Sequence, residues 1–216
     1  MRYPWEDGFG QHGSMPAHDE KAAARRSVRG RRSARPEAAR AAAEQALADR
    51  VVDLVDGEWP DEPVGVTAYL ALPAEPCLDA AIAALREHGH RVWVPRIVAP
   101  NLEWVRYSPG DQVVPGPLGI REPLGPAATD EELASARLVL LPGLAADRTG
   151  RRLGQGGGYY DRFLATRAPA SSGGPLRAIV LFEDDVLDEV PAEGHDQQVD
   201  IIVTPERIIR VSSATS

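Results

Sequence analysis

Residues 138–161, L-V-L-L-P-G-L-A-A-D-R-T-G-R-R-L-G-Q-G-G-G-Y-Y-D, decide the fold class. Leu138 to Leu141 is a short apolar run closed by Pro142-Gly143, the pattern of a buried strand, and Tyr159 onward reads as a helix start. Between them lie Gly154, Gly156, Gly157 and Gly158. Without a Cβ they can take positive φ, turn their N–H groups towards one point and let a phosphate approach closely. Such a loop feeding a helix N-terminus is an anion site. Arg151 and Arg152 bring positive charge to its entrance, and Asp147 and Asp161 flank it with carboxylates able to hold Mg²⁺ against a nucleotide. Glycine density by itself describes a flexible turn equally well. The stretch is not a P-loop, because G-K-[ST] is absent, and it lies too late in the chain for the first turn of a Rossmann unit.

Outward from this stretch the chain alternates helical and extended patterns. An alanine- and arginine-rich run from Asp19 predicts a first helix. Pro36 suits the first turn of a second, whose Leu47, Val51, Leu54 and Val55 form a buried stripe at i, i+4, i+7 and i+8. Strands are expected at Val64–Leu72, Val92–Ile97, Leu102–Tyr107, Arg177–Phe182, Val199–Thr204 and Ile208–Val211. A helix is expected over Pro76–His88, closed by Gly89, and a short one capped by Thr129 or Asp130. Residues 108–128 and 168–175 read as Pro/Gly-rich loops. This alternation predicts a single α/β domain over 17–216, a mainly parallel sheet with helices on both faces in three layers, Rossmann-like in architecture. Residues 1–16, with three glycines, two prolines and no periodicity, are expected to form a flexible tail. Ligands of such sheets bind beyond the carboxyl ends of the strands, where 142–158 falls.

Composition narrows the function classes. At 216 residues the chain holds one full α/β core. A formal net charge of −8 argues against non-specific binding to nucleic acid or to an anionic membrane surface. The arginines at 25, 26, 29, 31, 32 and 35 concentrate positive charge in one segment, as one wall of a phosphate pocket or as a nucleic-acid arm. The acidic balance and the lack of interleaved aromatics favour the pocket. A single cysteine, Cys77, rules out an intramolecular disulfide and fits a reducing cytoplasm. No run approaches the ~20 apolar residues of a membrane span.

Pro142 to Leu164 resembles the signature of the 5-formyltetrahydrofolate cyclo-ligases, also called methenyltetrahydrofolate synthetases, in which P-G-x-x-x-D-x-x-G-x-R-L-G-x-G-x-G-Y-Y-D recurs. Further echoes follow in the family's order: Lys21 with Arg25, Y-L-A-L-P-A-E ending at Glu75, V-W-V-P-R at 92–96, G-I-R-E-P at 119–123, and H-D-Q-Q-V-D ending at Asp200. The resemblance covers about residues 19–204. It implies an ATP-dependent enzyme that cyclises 5-formyltetrahydrofolate to 5,10-methenyltetrahydrofolate with Mg²⁺ as metal, its partners ATP and a reduced folate, acting as a cytoplasmic monomer. A catalytically silent or altered-substrate binder of nucleotide or folate is the competing reading.

The resemblance also assigns residues. Lys21 and Arg25, four apart, form on residue grounds alone either a solvated basic face or a clamp; the family makes them a clamp on ATP. With Arg152, Leu153, Gly154, Gln155, Gly156, Gly157, Gly158, Tyr159 and Tyr160 they make up the implied ATP site. Leu70 and Glu75, together with Gln155, Gly156, Gly157, Gly158 and Tyr159, make up the implied folate site. Tyr159 and Arg152 are the implied catalytic residues, and Asp161 and Asp200 the implied Mg²⁺ ligands. Of the two tyrosines, one is expected in the core. Asp147 is either part of the site or an Asx-turn residue that shapes the loop. His195-Asp196 is expected to order the C-terminal loop or to assist proton movement. Gln155 and Gly157 stand where some family members carry a basic residue, and Ala146 where some carry an aromatic.

Overall fold

In a computed structural model, which describes residues 17–193 and 196–211, the chain forms a seven-stranded sheet clasped by helices. The expected tail at 1–16 and His195 lie outside the described residues. The elements are α1 (Ala17–Ala34), α2 (Glu37–Glu58), β1 (Gly65–Thr67), α3 (Asp79–Glu87), β2 (Arg91–Val98), β3 (Asn101–Arg106), β4 (Val113–Pro115), β5 (Arg121–Pro123), α4 (Asp130–Ala134), β6 (Ala136–Leu141), β7 (Ala145–Asp147), β8 (Arg152–Leu153), α5 (Tyr159–Ala165), β9 (Leu176–Val180), β10 (Val186–Leu187), β11 (Ile201–Val203) and β12 (Ile208–Arg210).

The sheet runs β12-β11-β9-β6-β1-β2-β3, parallel throughout its interior and antiparallel only at the β11–β12 and β2–β3 edges. Side chains alternate across it. Leu138 and Leu140 of β6, Ala178 and Val180 of β9, and Ile201 and Val203 of β11 pack with the α2 stripe Leu47, Val51, Leu54 and Val55 and with Ile82 and Leu85 of α3. The intervening Val139, Leu141, Ile179 and Ile202 face Leu164 and Phe163 of α5 instead. Each strand is apolar on both sides because helices cover both faces. Full burial of each such side chain contributes roughly 1.5–3 kcal/mol.

The chain leaves β1 through α3 to β2 on one side and returns to β6 on the other, so strand order reverses between β1 and β6. That reversal opens a crevice beyond their carboxyl ends. A small sheet, β10-β7-β8, sits there. Ala24 and Val28 of α1 pack on it against Leu144, Leu153, Leu187 and Val190. Arg32 then locks α1 down: fully buried, it meets Asp185 Oδ2 at 2.7 Å and donates to Gly143 O at 2.8 Å. Breaking one side of such a buried pair costs about 3–5 kcal/mol.

Four expectations change in detail. The strand expected over Val64–Leu72 ends at Thr67; the Ala68 N–H still donates to Trp93 O at 2.8 Å, Tyr69 and Leu70 stay buried beyond it, and the Leu72 N–H is taken by Glu75 Oε2 at 3.0 Å rather than by a strand. Pro76–His88 becomes helical only at Asp79. Pro36 is the N-cap of α2 rather than part of its first turn. The loop expected over 108–128 contains the β4–β5 hairpin, held by Glu122 Oε1 accepting from Ile97 N at 2.7 Å and by the Arg121–Asp79 pair at 2.8 Å. Thr129 caps α4 in a capping box with Glu132, as one of the two expected caps.

Candidate active site

A cavity of about 630 Å³ opens beyond the carboxyl ends of β1 and β6. Its walls are the cation-bearing side of α1, the loop from β8 into α5, the buried continuation of β1, and an apolar side made by Pro95, Ile97, Leu102 and Ile120. The expected residues Lys21, Arg25, Leu70, Glu75, Arg152, Leu153, Gly154, Gln155, Gly156, Gly157, Gly158, Tyr159, Tyr160 and Asp161 all line it. Asp200 does not.

The glycine loop uses two kinds of freedom. Gly156 at φ +107° and Gly158 at φ +67° sit in the region that disfavours side chains, Gly158 serving as the N-cap of α5. Gly157 needs space rather than φ, since a Cβ there would lie 3.0 Å from the Tyr159 ring. Arg25 Nε donates to Gly154 O at 3.0 Å and so ties α1 to the loop.

Asp147 resolves as the turn-former. Its Oδ1 accepts from Thr149 N at 2.9 Å, Thr149 Oγ1 at 2.6 Å and Arg151 N at 3.2 Å, while Oδ2 accepts from Val190 N at 2.9 Å, and Asp147 itself is buried. A carboxylate so committed shapes the β7–β8 connection and has nothing left for a ligand. Asp200, expected as a second metal ligand, does not line the cavity; its Oδ2 accepts from Arg177 N at 2.8 Å at the start of β9, and its Oδ1 has no hydrogen-bond partner among the described residues. Asp161 does line the cavity. Its Oδ1 meets Arg152 Nη2 at 2.5 Å and takes Gln197 N at 3.3 Å, and its Oδ2 has no hydrogen-bond partner among the described residues.

Lys21 is buried, its ammonium 2.6 Å from Asp196 Oδ2 and 3.0 Å from Glu193 Oε2. These carboxylates escaped the sequence reading as cavity groups, although Asp196 was expected to order its loop. Tyr159 is partly exposed under the Arg162 guanidinium, 4.9 Å from the ring centroid. Tyr160 is the more packed of the pair, edge-on to Trp104 at 6.3 Å, yet it too lines the cavity. Burial, reinforced by the Glu75 charge, pushes the Tyr160 phenol far above its ordinary value. Burial does the same to Tyr69, whose hydroxyl donates to Pro76 O at 2.9 Å. Both therefore keep their protons at neutral pH.

Glu75 is placed across from the loop. Its Oε1 accepts from Gln155 Nε2 at 2.9 Å, and Gln155 Oε1 in turn accepts from Arg29 Nη2 at 2.8 Å and Nε at 3.2 Å. Arg29, expected only as one of several arginines in a phosphate-pocket wall and not singled out as a site residue, lines the cavity; its spacing four beyond Arg25 carries the signal, since Lys21, Arg25 and Arg29 fall on one helix face.

For Mg²⁺ the donor chemistry fits at one position. Asp161 offers one hard oxygen at the cavity, and Mg²⁺ on a nucleotide commonly takes one or two protein carboxylates with phosphate and water oxygens for the rest. Asp56, His88 and His90 form a further group close enough to share an ion, but at the start of β2, far from the cavity. His90 Nδ1 accepts from Val64 N at 3.1 Å, which leaves the proton of the neutral ring on Nε2, 3.6 Å from Asp56 Oδ1, so neither nitrogen offers a lone pair to a metal.

The model of the 5-formyltetrahydrofolate cyclo-ligase family matches residues 17–205. The chain belongs to this family. It is 39% identical to the 5-formyltetrahydrofolate cyclo-ligase of Mycolicibacterium smegmatis over 66% of this chain and 74% of that one, and 25% identical to that of Mus musculus over 64% and 71%. Among solved structures, the Aquifex aeolicus 5,10-methenyltetrahydrofolate synthetase superposes with a TM-score of 0.68 at 25% identity, covering 91% of this chain and 95% of that one. The cyclo-ligase family match spans α1 through β11, so it includes every wall of the cavity. No described helix is long and apolar enough to cross a membrane.

Proposed function

We propose that this cyclo-ligase family member closes 5-formyltetrahydrofolate to 5,10-methenyltetrahydrofolate and consumes ATP in doing so. The observation that carries the reading is that one cavity joins two chemically distinct ends. One carries the cations Lys21, Arg25 and Arg152 beside the glycine loop, with Glu193, Asp196 and Asp161 as acids paired to Lys21 and Arg152; the other is apolar, with Glu75 at its edge. The first suits a polyphosphate and the second a flat heterocycle bearing N–H donors.

The chemical difficulty is a poor leaving group. The formyl oxygen attacks the γ-phosphorus of ATP, the bond to the β-phosphate oxygen breaks, and ADP departs. N10 of the folate then attacks the activated carbon, the new C–N bond closes the ring, inorganic phosphate leaves with the former formyl oxygen, and the N10 proton is lost. The protein need only orient two ligands and stabilise phosphoryl charge. Arg152, with Lys21 and Arg25, supplies cations, and the N–H groups about Gly156 and Gly158 supply fixed dipoles. Tyr160, held protonated by burial, can donate to an oxygen and cannot act as a base. Glu75 accepts from substrate N–H groups. Asp161 would hold Mg²⁺, which when bound neutralises phosphate charge. The proposed setting is a monomer in the reducing cytoplasm, supported by the free Cys77.

The test is absorbance-monitored formation of the methenyl product from 5-formyltetrahydrofolate with ATP and Mg²⁺. Turnover that needs both supports the reading. ATP binding without product formation identifies a silent binder and overturns it.

A further inference from the structure

The cations of α1, with Arg35 just beyond its end, fall into two groups. Arg31, Arg32 and Arg35 are matched by carboxylates, Asp184 and Asp185, and Lys21 by Asp196 and Glu193. Among the described residues Arg25, Arg26 and Arg29 meet no carboxylate; Arg25 donates to the Gly154 carbonyl at 3.0 Å, and Arg26 does not line the cavity. The partners of Arg29 among the described residues are the neutral amide oxygen of Gln155, at 2.8 Å from Nη2 and 3.2 Å from Nε, and the Gln155 backbone carbonyl at 3.2 Å. Arg29 is exposed at the mouth of the cavity with no carboxylate facing it.

Its position is also ordered. Lys21, Arg25 and Arg29 follow one another at four-residue spacing and all line the cavity, so α1 lays a ladder of cations over about 12 Å of its length. The Gln155 amide holds the last rung in a fixed orientation, because its nitrogen is engaged by Glu75 Oε1 at 2.9 Å and its oxygen must therefore face the guanidinium. The rung is thus pre-aimed and exchangeable: an anionic oxygen outcompetes a neutral amide for a guanidinium, since charge-assisted hydrogen bonds are about twice as strong as neutral ones.

We propose that Arg29 is a binding residue for an anionic oxygen group of a ligand at the cavity mouth, with Gln155 as the neutral holder that the anion displaces. The group is a phosphate or a carboxylate, the two oxyanions a planar guanidinium binds through paired N–H groups. The inference rests on the reading of this cavity as a nucleotide and folate site. Either ligand offers such a group: the nucleotide its phosphates, the folate the carboxylates of its glutamate tail.

The experiment compares wild type with Arg29→Ala, Arg29→Lys and the control Arg26→Ala, an exposed cation of the same helix that does not line the cavity. ATP affinity is measured by calorimetry without folate, and KM for 5-formyltetrahydrofolate is measured with monoglutamate and with triglutamate substrate at saturating ATP. Arg29→Ala is expected to weaken one ligand about tenfold, with partial recovery in Arg29→Lys and no change in Arg26→Ala. Loss in the calorimetric arm assigns phosphate; loss in the KM arm assigns carboxylate. If Arg29→Ala changes neither by more than about twofold, or if Arg26→Ala matches it, the proposal is overturned. Absence of turnover in the wild type would instead count against the cyclo-ligase reading, and the calorimetric arm still decides Arg29 for ATP.

Discussion

The Arg152 guanidinium and the Asp161 carboxylate meet at 2.5 Å across the mouth of the glycine loop, the arginine almost fully buried and the aspartate about a quarter exposed. Gln197 braces both: its carbonyl accepts from Arg152 Nε at 3.2 Å, and its N–H donates to Asp161 Oδ1 at 3.3 Å. The pair thus fixes a cation beside the glycine loop while one carboxylate oxygen stays available. Arg152→Ala removes the cation and leaves Asp161 unpaired. Its kcat/KM is expected to fall about 10²-fold in steady-state kinetics, the scale of losing one preorganised donor to a developing charge. A loss under threefold would remove Arg152 from the phosphate site.

The two acids expected to share the metal are separated by the structure, and their asparagine variants should separate as well. Asp161→Asn is expected to raise the Mg²⁺ concentration needed for half-maximal rate by about tenfold, as loss of one charged oxygen ligand implies. Asp200→Asn keeps an oxygen for the Arg177 N–H and is expected to leave that midpoint within about twofold. A magnesium titration of both variants checks this. Equal shifts would return Asp200 to the metal.

For Gly156→Ala and Gly158→Ala the expectation is damage to catalysis beyond damage to stability. The backbone at φ +107° and +67° puts a side chain under strain of about 1 kcal/mol, which in a domain of this size lowers Tm by roughly 2–4 °C. The added Cβ at 156 meets Arg25 only at ordinary contact, 3.7 Å, so packing adds little there. Redirected N–H groups should cost about 10²-fold in rate. Melting curves and kcat measured together decide. A lowered Tm with unchanged kcat would make these residues turn-formers only.

Cys77 should be a slow thiol. Burial pushes it up to about 12, with the Asp79 and Glu44 carboxylates adding to the rise. Iodoacetamide at pH 8 is expected to label the denatured chain far faster than the native one. The sign for stability follows. The unfolded thiol ionises near its ordinary value of about 9, before the folded one does, so this group's contribution is intact below pH 9 and declines from there towards pH 12. Native labelling at pH 8 as fast as in denaturant would contradict the burial.

The sequence made the sheet legible because each interior strand is apolar on both faces, and made most of the cavity legible because the loop, Lys21, Arg25 and Glu75 stand in one recognisable order. What it hid depends on distant partners. The β4–β5 hairpin carries prolines and little alternation and is held by Glu122 on Ile97 and Arg121 on Asp79. Asp200 read as a ligand because nothing local reveals that Arg177 N takes its carboxylate. Arg29 was one arginine among several until α1 docked through Val28 and Arg32 and turned it to the cavity.

The most direct measurement of the central claim follows the formyl oxygen. With 5-formyltetrahydrofolate labelled with ¹⁸O in the formyl group, ATP and Mg²⁺, the account predicts methenyl product and ADP in equal amounts and the label in inorganic phosphate. Product formed with unlabelled phosphate, or ATP hydrolysed without ring closure, would contradict it.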